Sequence, residues 1–153
     1  MKVCEEFYIN GEWVKPVNDL KTLDVINPAT EEVFGRIALG DKDDVDAAVE
    51  AAYNAFESFG YSSVEERVSL LEKILEVYQG KYDEIAETIS SEMGAPIGLS
   101  KAAQAATGLG HFSTALETLK NYKFEEVKGS ALIRKEPIGV VGMITPWNWP
   151  INQ

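Results

Sequence analysis

A chain of 153 residues and 16.9 kDa is enough for one domain, at most a domain and a half. At 45% hydrophobic and 25% charged it has the make-up of an ordinary soluble globular protein, which excludes disorder, collagen-like repeats and a disulfide scaffold. The net charge of −11 sits in residues 31–92, with 16 acidic and 5 basic side chains, while the rest holds 9 of each.

An acidic helical surface repels nucleic acid and anionic lipid, so neither is expected as a partner. A solvated helix face accounts for the charge itself. The longest nearly apolar run, Ile138 to Ile144, falls far short of the ~20 residues that cross a bilayer. The start, MKVCEEFYING, has no basic segment followed by an apolar one, as a secretory signal requires. Cys4 is the single cysteine and permits no internal disulfide. A cytoplasmic location follows as an expectation.

Phe7-Tyr8-Ile9 and Trp13-Val14 flank Asn10-Gly11-Glu12, and Asn-Gly tolerates the positive φ of a tight hairpin. Leu23 to Ile26 reads as a strand stopped by Asn27-Pro28, and Val33 to Leu39 as a second. The period then becomes helical: Val45, Ala48, Val49, Ala52, Ala55, Phe56 and Phe59 lie on one face. Asp41 or Asp43 can cap this helix and Gly60 can end it. Ser62/Glu65 and Ser63/Glu66 are alternative capping boxes for the next helix. Its stripe is Val64, Val68, Leu71, Leu75 and Tyr78, and Gly80 ends it. A third helix from about Asp83 buries Ile85, Ala86, Ile89 and Met93 and stops at Gly94, ahead of Pro96. A fourth runs from about Leu99 to Asn121, burying Ala105, Leu109, Phe112, Leu116 and Leu119.

Phe124 to Val127 and Ala131 to Lys135 then flank Lys128-Gly129-Ser130, a second hairpin. Ile138 to Ile144 reads as a strand apolar on both faces, suited to a parallel sheet covered by helices. Such a strand needs neighbours, so the chain is expected to be the front part of a larger α/β protein. The turn Thr145-Pro146-Trp147-Asn148-Trp149-Pro150 follows it. In open α/β sheets ligands sit at the carboxyl ends of strands. Asn148, braced by two prolines, could there donate its amide to a developing oxyanion. The plainer reading is that Asn148 only shapes the turn.

Residues 144–150 closely resemble the strand-and-turn signature of NAD(P)-dependent aldehyde dehydrogenases. Tyr8 to Trp13 looks like that family's opening hairpin, Val25 to Thr30 like its next strand and turn, and Glu92 to Pro96 like its helix-ending motif. The resemblance implies an α/β fold, the front part of a Rossmann-like cofactor domain. It assigns residues 1–119 to that domain, 120–137 to an oligomerisation hairpin, and 138–153 to the first strand and turn of the Rossmann-like sheet. Asn148 would be the oxyanion-hole asparagine. Ile144, Thr145, Pro146 and Trp147 would line the groove for NAD (or NADP). The implied substrate is a small-molecule aldehyde, oxidised to a carboxylic acid through a cysteine adduct. The implied assembly is a homo-oligomer, dimer or tetramer.

The family's nucleophilic cysteine, glutamate base and glycine-rich turn have no counterpart at matching positions, so the 153 residues alone are expected to be inactive. Cys4 lies ahead of the first hairpin with nothing predicted nearby to lower its pKa. His111 has no companion at metal-ligand spacing and reads as a satisfied, partly buried histidine; no metal site is expected. Gly108-Leu109-Gly110 lacks a preceding strand and a third glycine, and reads as close helix packing or a kink. Glu65, Glu66, Glu72 and Glu76 form a solvated face. Two other readings stand beside the enzyme: a non-catalytic oligomerisation or binding fragment, and an unrelated Rossmann-like protein with a similar turn.

Overall fold

The computed structural model describes residues 2–152. Met1 and Gln153, the outer ends of the first and last expected segments, lie outside the described residues. Five strands come first: β1 (Lys2–Cys4), β2 (Phe7–Ile9), β3 (Glu12–Val14), β4 (Lys21–Asn27) and β5 (Glu32–Leu39). Asn10 and Gly11 take φ of 54° and 82°, so β2 and β3 pair antiparallel across a two-residue turn. Tyr8 lies opposite Trp13, ring centroids 5.2 Å apart, a cross-strand pair that fixes the register. β4 and β5 form a second antiparallel pair with a bulge at Val25/Ile26. β1 joins β5 in parallel, a pairing the sequence reading omits because three residues without a connecting turn carry no local signal.

The helices are α1 (Lys42–Phe59), α2 (Val64–Gly80), α3 (Tyr82–Met93), α4 (Ile97–Leu99), a π turn (Ser100–Gln104) and α5 (Ala105–Asn121). Asp41 caps α1, accepting from the Asp43 N–H at 2.9 Å, while the Asp44 carboxylate accepts from the Asp41 N–H at 2.9 Å. Asp44 also accepts from the Val17 N–H at 2.8 Å, which ties the β3–β4 connection to α1. Of the two candidate boxes at α2, Ser63/Glu66 forms, with both reciprocal bonds present. α3 ends at Gly94 in the left-handed region, φ 73°, the conformation glycine adopts without a β-carbon penalty.

α2 and α3 pack on the π turn and α5. The buried residues include Ala86, Ile89 and Ala105, and Tyr78 is buried against Ala105 and Gly108. β6 (Glu125–Lys128) and β7 (Ala131–Arg134) form a separate hairpin with every residue exposed. Residues 138–144 do not form the expected buried strand. No described strand pairs with them, and Ile138 (93% exposed) and Met143 (82%) face outward. A doubly covered strand exists only where neighbours take its N–H and C=O groups, and among the described residues none do. No helix of the described residues is long and apolar enough to cross a membrane.

Candidate functional site

Beyond Ile144 the chain bends at 147–149 and closes a turn in which the Asn152 N–H donates to Trp149 O at 3.0 Å. Pro146 and Pro150 fix φ on either side of Asn148. Three contacts dock this segment on the helices. Gln104 Nε2 donates to the Asn148 carbonyl at 3.5 Å. Ile151 seats on Gly108, where a β-carbon would lie 2.1 Å from its Cγ2. His111 Nε2 and Asn152 Oδ1 are 2.9 Å apart, and since a carbonyl oxygen only accepts, the imidazole donates.

The π turn is what faces this segment. The Ala105 N–H reaches back to Ser100 O, and the wider turn carries two polar residues into the interior, Ser100 fully buried and Gln104 4% exposed. Ser100 Oγ donates to Gln104 Oε1 at 3.4 Å, leaving the Gln104 amide N–H₂ for Asn148. Two tyrosines brace the same turn: Tyr78 Oη donates to Ala105 O at 2.7 Å and Tyr82 Oη to Lys101 O. Burial, with a smaller contribution from Tyr82, raises the Tyr78 pKa above its ordinary value, so the phenol stays a donor. Single π turns inside helices recur at functional sites. Sequence reasoning missed Ser100, Gln104 and Tyr82. The signal lay in the spacing: 100, 104 and 108 share one helical face, and two of them are polar.

All five expected site residues lie on this one exposed segment. Ile144 is fully exposed and Trp147 77% exposed, with Thr145 and Pro146 exposed between them. Asn148 has its backbone carbonyl held while its side-chain amide has no partner among the described residues. A braced backbone beneath a free amide can present two N–H donors to an oxygen arriving from the open side.

The other candidates settle as follows. Cys4 is exposed on β1 and paired only through its backbone with β5. His111 is exposed, a correction to the partly buried histidine expected, although its ring is satisfied by Asn152. Gly108 is a close-packing glycine, as expected. Glu66 caps α2, Glu72 pairs with Lys120 at 2.9 Å and Glu76 with Lys73 at 2.7 Å, all on the solvated surface. Among the described residues no group of three His, Cys, Asp or Glu side chains could hold a metal ion.

Residues 13–153 match the model of the aldehyde dehydrogenase family. A Staphylococcus aureus protein (strain bovine RF122 / ET3-1) named "Putative aldehyde dehydrogenase" is 53% identical over 146 residues, 95% of this chain and 30% of that protein. An aldehyde dehydrogenase structure from Bartonella henselae superposes with a TM-score of 0.96 at 43% identity, covering 100% of this chain and 33% of that one. Aldehyde dehydrogenase C from Pseudomonas syringae, a mutant in complex with NAD+ and octanal, gives 0.94 at 41% identity, covering 97% and 30%. The chain thus spans about 30% of the length of the curated relatives it matches.

Proposed function

The chain belongs to the aldehyde dehydrogenase family, and from that premise we propose that it is the front portion of an enzyme that oxidises an aldehyde to a carboxylic acid with NAD(P)+. The observation that carries the reading is the Asn148 segment, where a free amide stands on a backbone fixed by Gln104, Ile151 and two prolines. The relative from Pseudomonas syringae was crystallised with NAD+ and octanal, which supports both the cofactor and an aldehyde as substrate.

Asn148 is the oxyanion donor in this reading. As a cysteine thiolate from elsewhere in the enzyme adds to the aldehyde carbon, negative charge grows on the carbonyl oxygen, and the Asn148 N–H₂ donates to it. Because its backbone is held beforehand, little reorganisation accompanies the reaction. Ile144, Pro146 and Trp147 offer an apolar wall and Thr145 one hydroxyl, a donor set that fits the flat nicotinamide and its ribose. The cofactor supplies the hydride acceptor when bound. These residues would hold it beside the Asn148 amide.

Residues 1–119 belong to the cofactor domain, 120–137 to an oligomerisation hairpin and 138–153 to the first strand and turn of its sheet, in a homo-oligomeric cytoplasmic enzyme. The exposed edges of β6 and β7 support the hairpin's part, since an unpaired strand edge is a template for a second chain. A dimer or tetramer by light scattering is expected, and a monomer at high concentration contradicts it. In the full-length enzyme Asn148→Ala lowers kcat by about 10²–10³-fold, and unchanged kcat removes Asn148 from the site. The 153-residue chain alone forms no NADH from any aldehyde, and turnover by it overturns this reading.

A further inference from the structure

Ahead of the π turn the helical spacing is regular: the Ser100 N–H donates to Pro96 O at 2.9 Å, four residues back. In that register the Ala105 N–H would reach Lys101 O. It reaches Ser100 O instead, five residues back. The Lys101 carbonyl takes the Tyr82 hydroxyl. Two more hydroxyls donate to carbonyls at the end of the turn, Thr107 Oγ1 to Gln104 O at 2.8 Å and Tyr78 Oη to Ala105 O at 2.7 Å.

The two tyrosines act from outside the turn and from the same place. Tyr78 ends α2 and Tyr82 begins α3, with ring centroids 6.4 Å apart in an edge-on arrangement. Tyr78 is buried and Tyr82 half-buried. Lys101 is tied to α3 a second time, its ammonium 2.8 Å from Asp83 Oδ1. π turns are rare, and this one receives a hydroxyl from each of two neighbouring helices, one near each of its ends.

We propose that Tyr78 and Tyr82 are positioning residues for the oxidation inferred above: their hydroxyls hold the π register, and the register keeps Gln104 turned toward the Asn148 carbonyl. The proposal rests on Asn148 as the oxyanion donor. One residue of a helix is about 100° of rotation. Below the turn α5 is fixed, with Gly108 packed against Tyr78 and Ile151. A return to regular spacing would therefore turn Ser100 and Gln104 relative to α5 by up to that angle. Gln104 Nε2, 3.5 Å from Asn148 O in the π register, would leave it. The tyrosines touch neither the Asn148 amide nor the groove beside it, so their effect passes through Gln104.

The experiment is a mutant cycle for kcat in the full-length enzyme, with a crystal structure of the Tyr78→Phe/Tyr82→Phe variant beside it. Phenylalanine keeps both rings and removes both hydroxyls. The pair is expected to lower kcat about fivefold while KM stays near its parent value. In a Gln104→Leu background the same pair should cause no further fall, because both changes act through one contact. An equal fall in both backgrounds overturns the proposal, and so does an unchanged kcat. The variant's structure should show the Ala105 N–H back on Lys101 O and Gln104 away from Asn148. An unaltered π turn overturns the proposal whatever the activity. Where the pair fails to fold, Tyr82→Phe alone is read in the same way. Unchanged kcat in Asn148→Ala is a separate failure, that of the oxyanion donor, and the variant's structure still decides whether the hydroxyls hold the register.

Discussion

Tyr78 and Gly108 meet with no room for a β-carbon between them: one placed on Gly108 would lie 2.4 Å from Tyr78 Oη and 2.8 Å from Cζ. On its other side the same glycine touches Ile151. The α2–α5 contact and the docking of the Asn148 segment therefore share one point.

Gly108→Ala tests that point. Helix propensity alone favours alanine by about 1 kcal/mol, whereas overpacking a filled site costs about 1–3 kcal/mol. With two contacts this short, overpacking wins. The expected outcome is a net loss of stability in urea, together with a change in tryptophan emission as the 147–152 segment lifts. A variant more stable than the parent contradicts the packing described.

Tyr78→Phe removes the hydroxyl that donates to Ala105 O. The buried carbonyl loses its extra partner, and a loss of about 1–2 kcal/mol is expected. The same phenol has a pH consequence. Its pKa is raised by burial first and Tyr82 second. A raised folded-state pKa contributes stability that is fully present below the unfolded value, near 10, and is lost as pH rises through the folded one. Alkaline unfolding should therefore steepen above that value, and Tyr78→Phe should flatten it. Identical alkaline profiles for the two proteins count against the buried donor.

At acid pH the group to follow is Asp41. Its pKa is lowered, chiefly by the Asn18 amide and next by the Asp43 N–H it caps. A lowered folded-state pKa contributes stability that is present above the ordinary value of 3.8 and is lost as pH falls through the folded one. Asp41→Asn keeps the capping geometry while removing the charge. It should abolish that part of the acid dependence yet retain the helix by circular dichroism. An unchanged acid profile excludes Asp41 as the source.

The elements with local signals were legible in the sequence. Asn10-Gly11 marks its hairpin, Gly94 its helix end, and the spacing of apolar residues each long helix. Asp41 and Ser63 were readable as caps, although only geometry chooses Ser63/Glu66 over Ser62/Glu65. What was not legible depends on distant partners. β1 pairs with β5 more than thirty residues away, and no local pattern announces a parallel contact. The run 138–144 has the composition of a central strand, yet composition cannot supply the neighbours a strand needs. At the proposed site, the family resemblance points to Asn148 and its flanking residues. It did not find Gln104, because a buried glutamine inside an alanine-rich helix looks like surface polarity until the π turn rotates it inward.

That glutamine supports the last prediction. Gln104 holds Asn148 by its backbone carbonyl, and at 3.5 Å the bond is long. The carbonyl belongs to an exposed residue, so water replaces the amide once it is gone. Gln104→Leu, similar in volume, also removes the acceptor of the buried Ser100 hydroxyl, so a loss of about 1–3 kcal/mol in global stability is expected. Order in the segment should fall with it. In the full-length enzyme an oxyanion donor that is less well positioned lowers kcat while KM stays near its parent value, because the interaction matters only as charge develops. A fall of about tenfold is expected, the equivalent of one modest hydrogen bond. Gln104→Met keeps the side chain's length but loses the N–H₂ donor, and should behave like the leucine variant. If both variants match the parent in kcat, Gln104 does not position Asn148, and the prolines with the Ile151 and Asn152 contacts hold the turn.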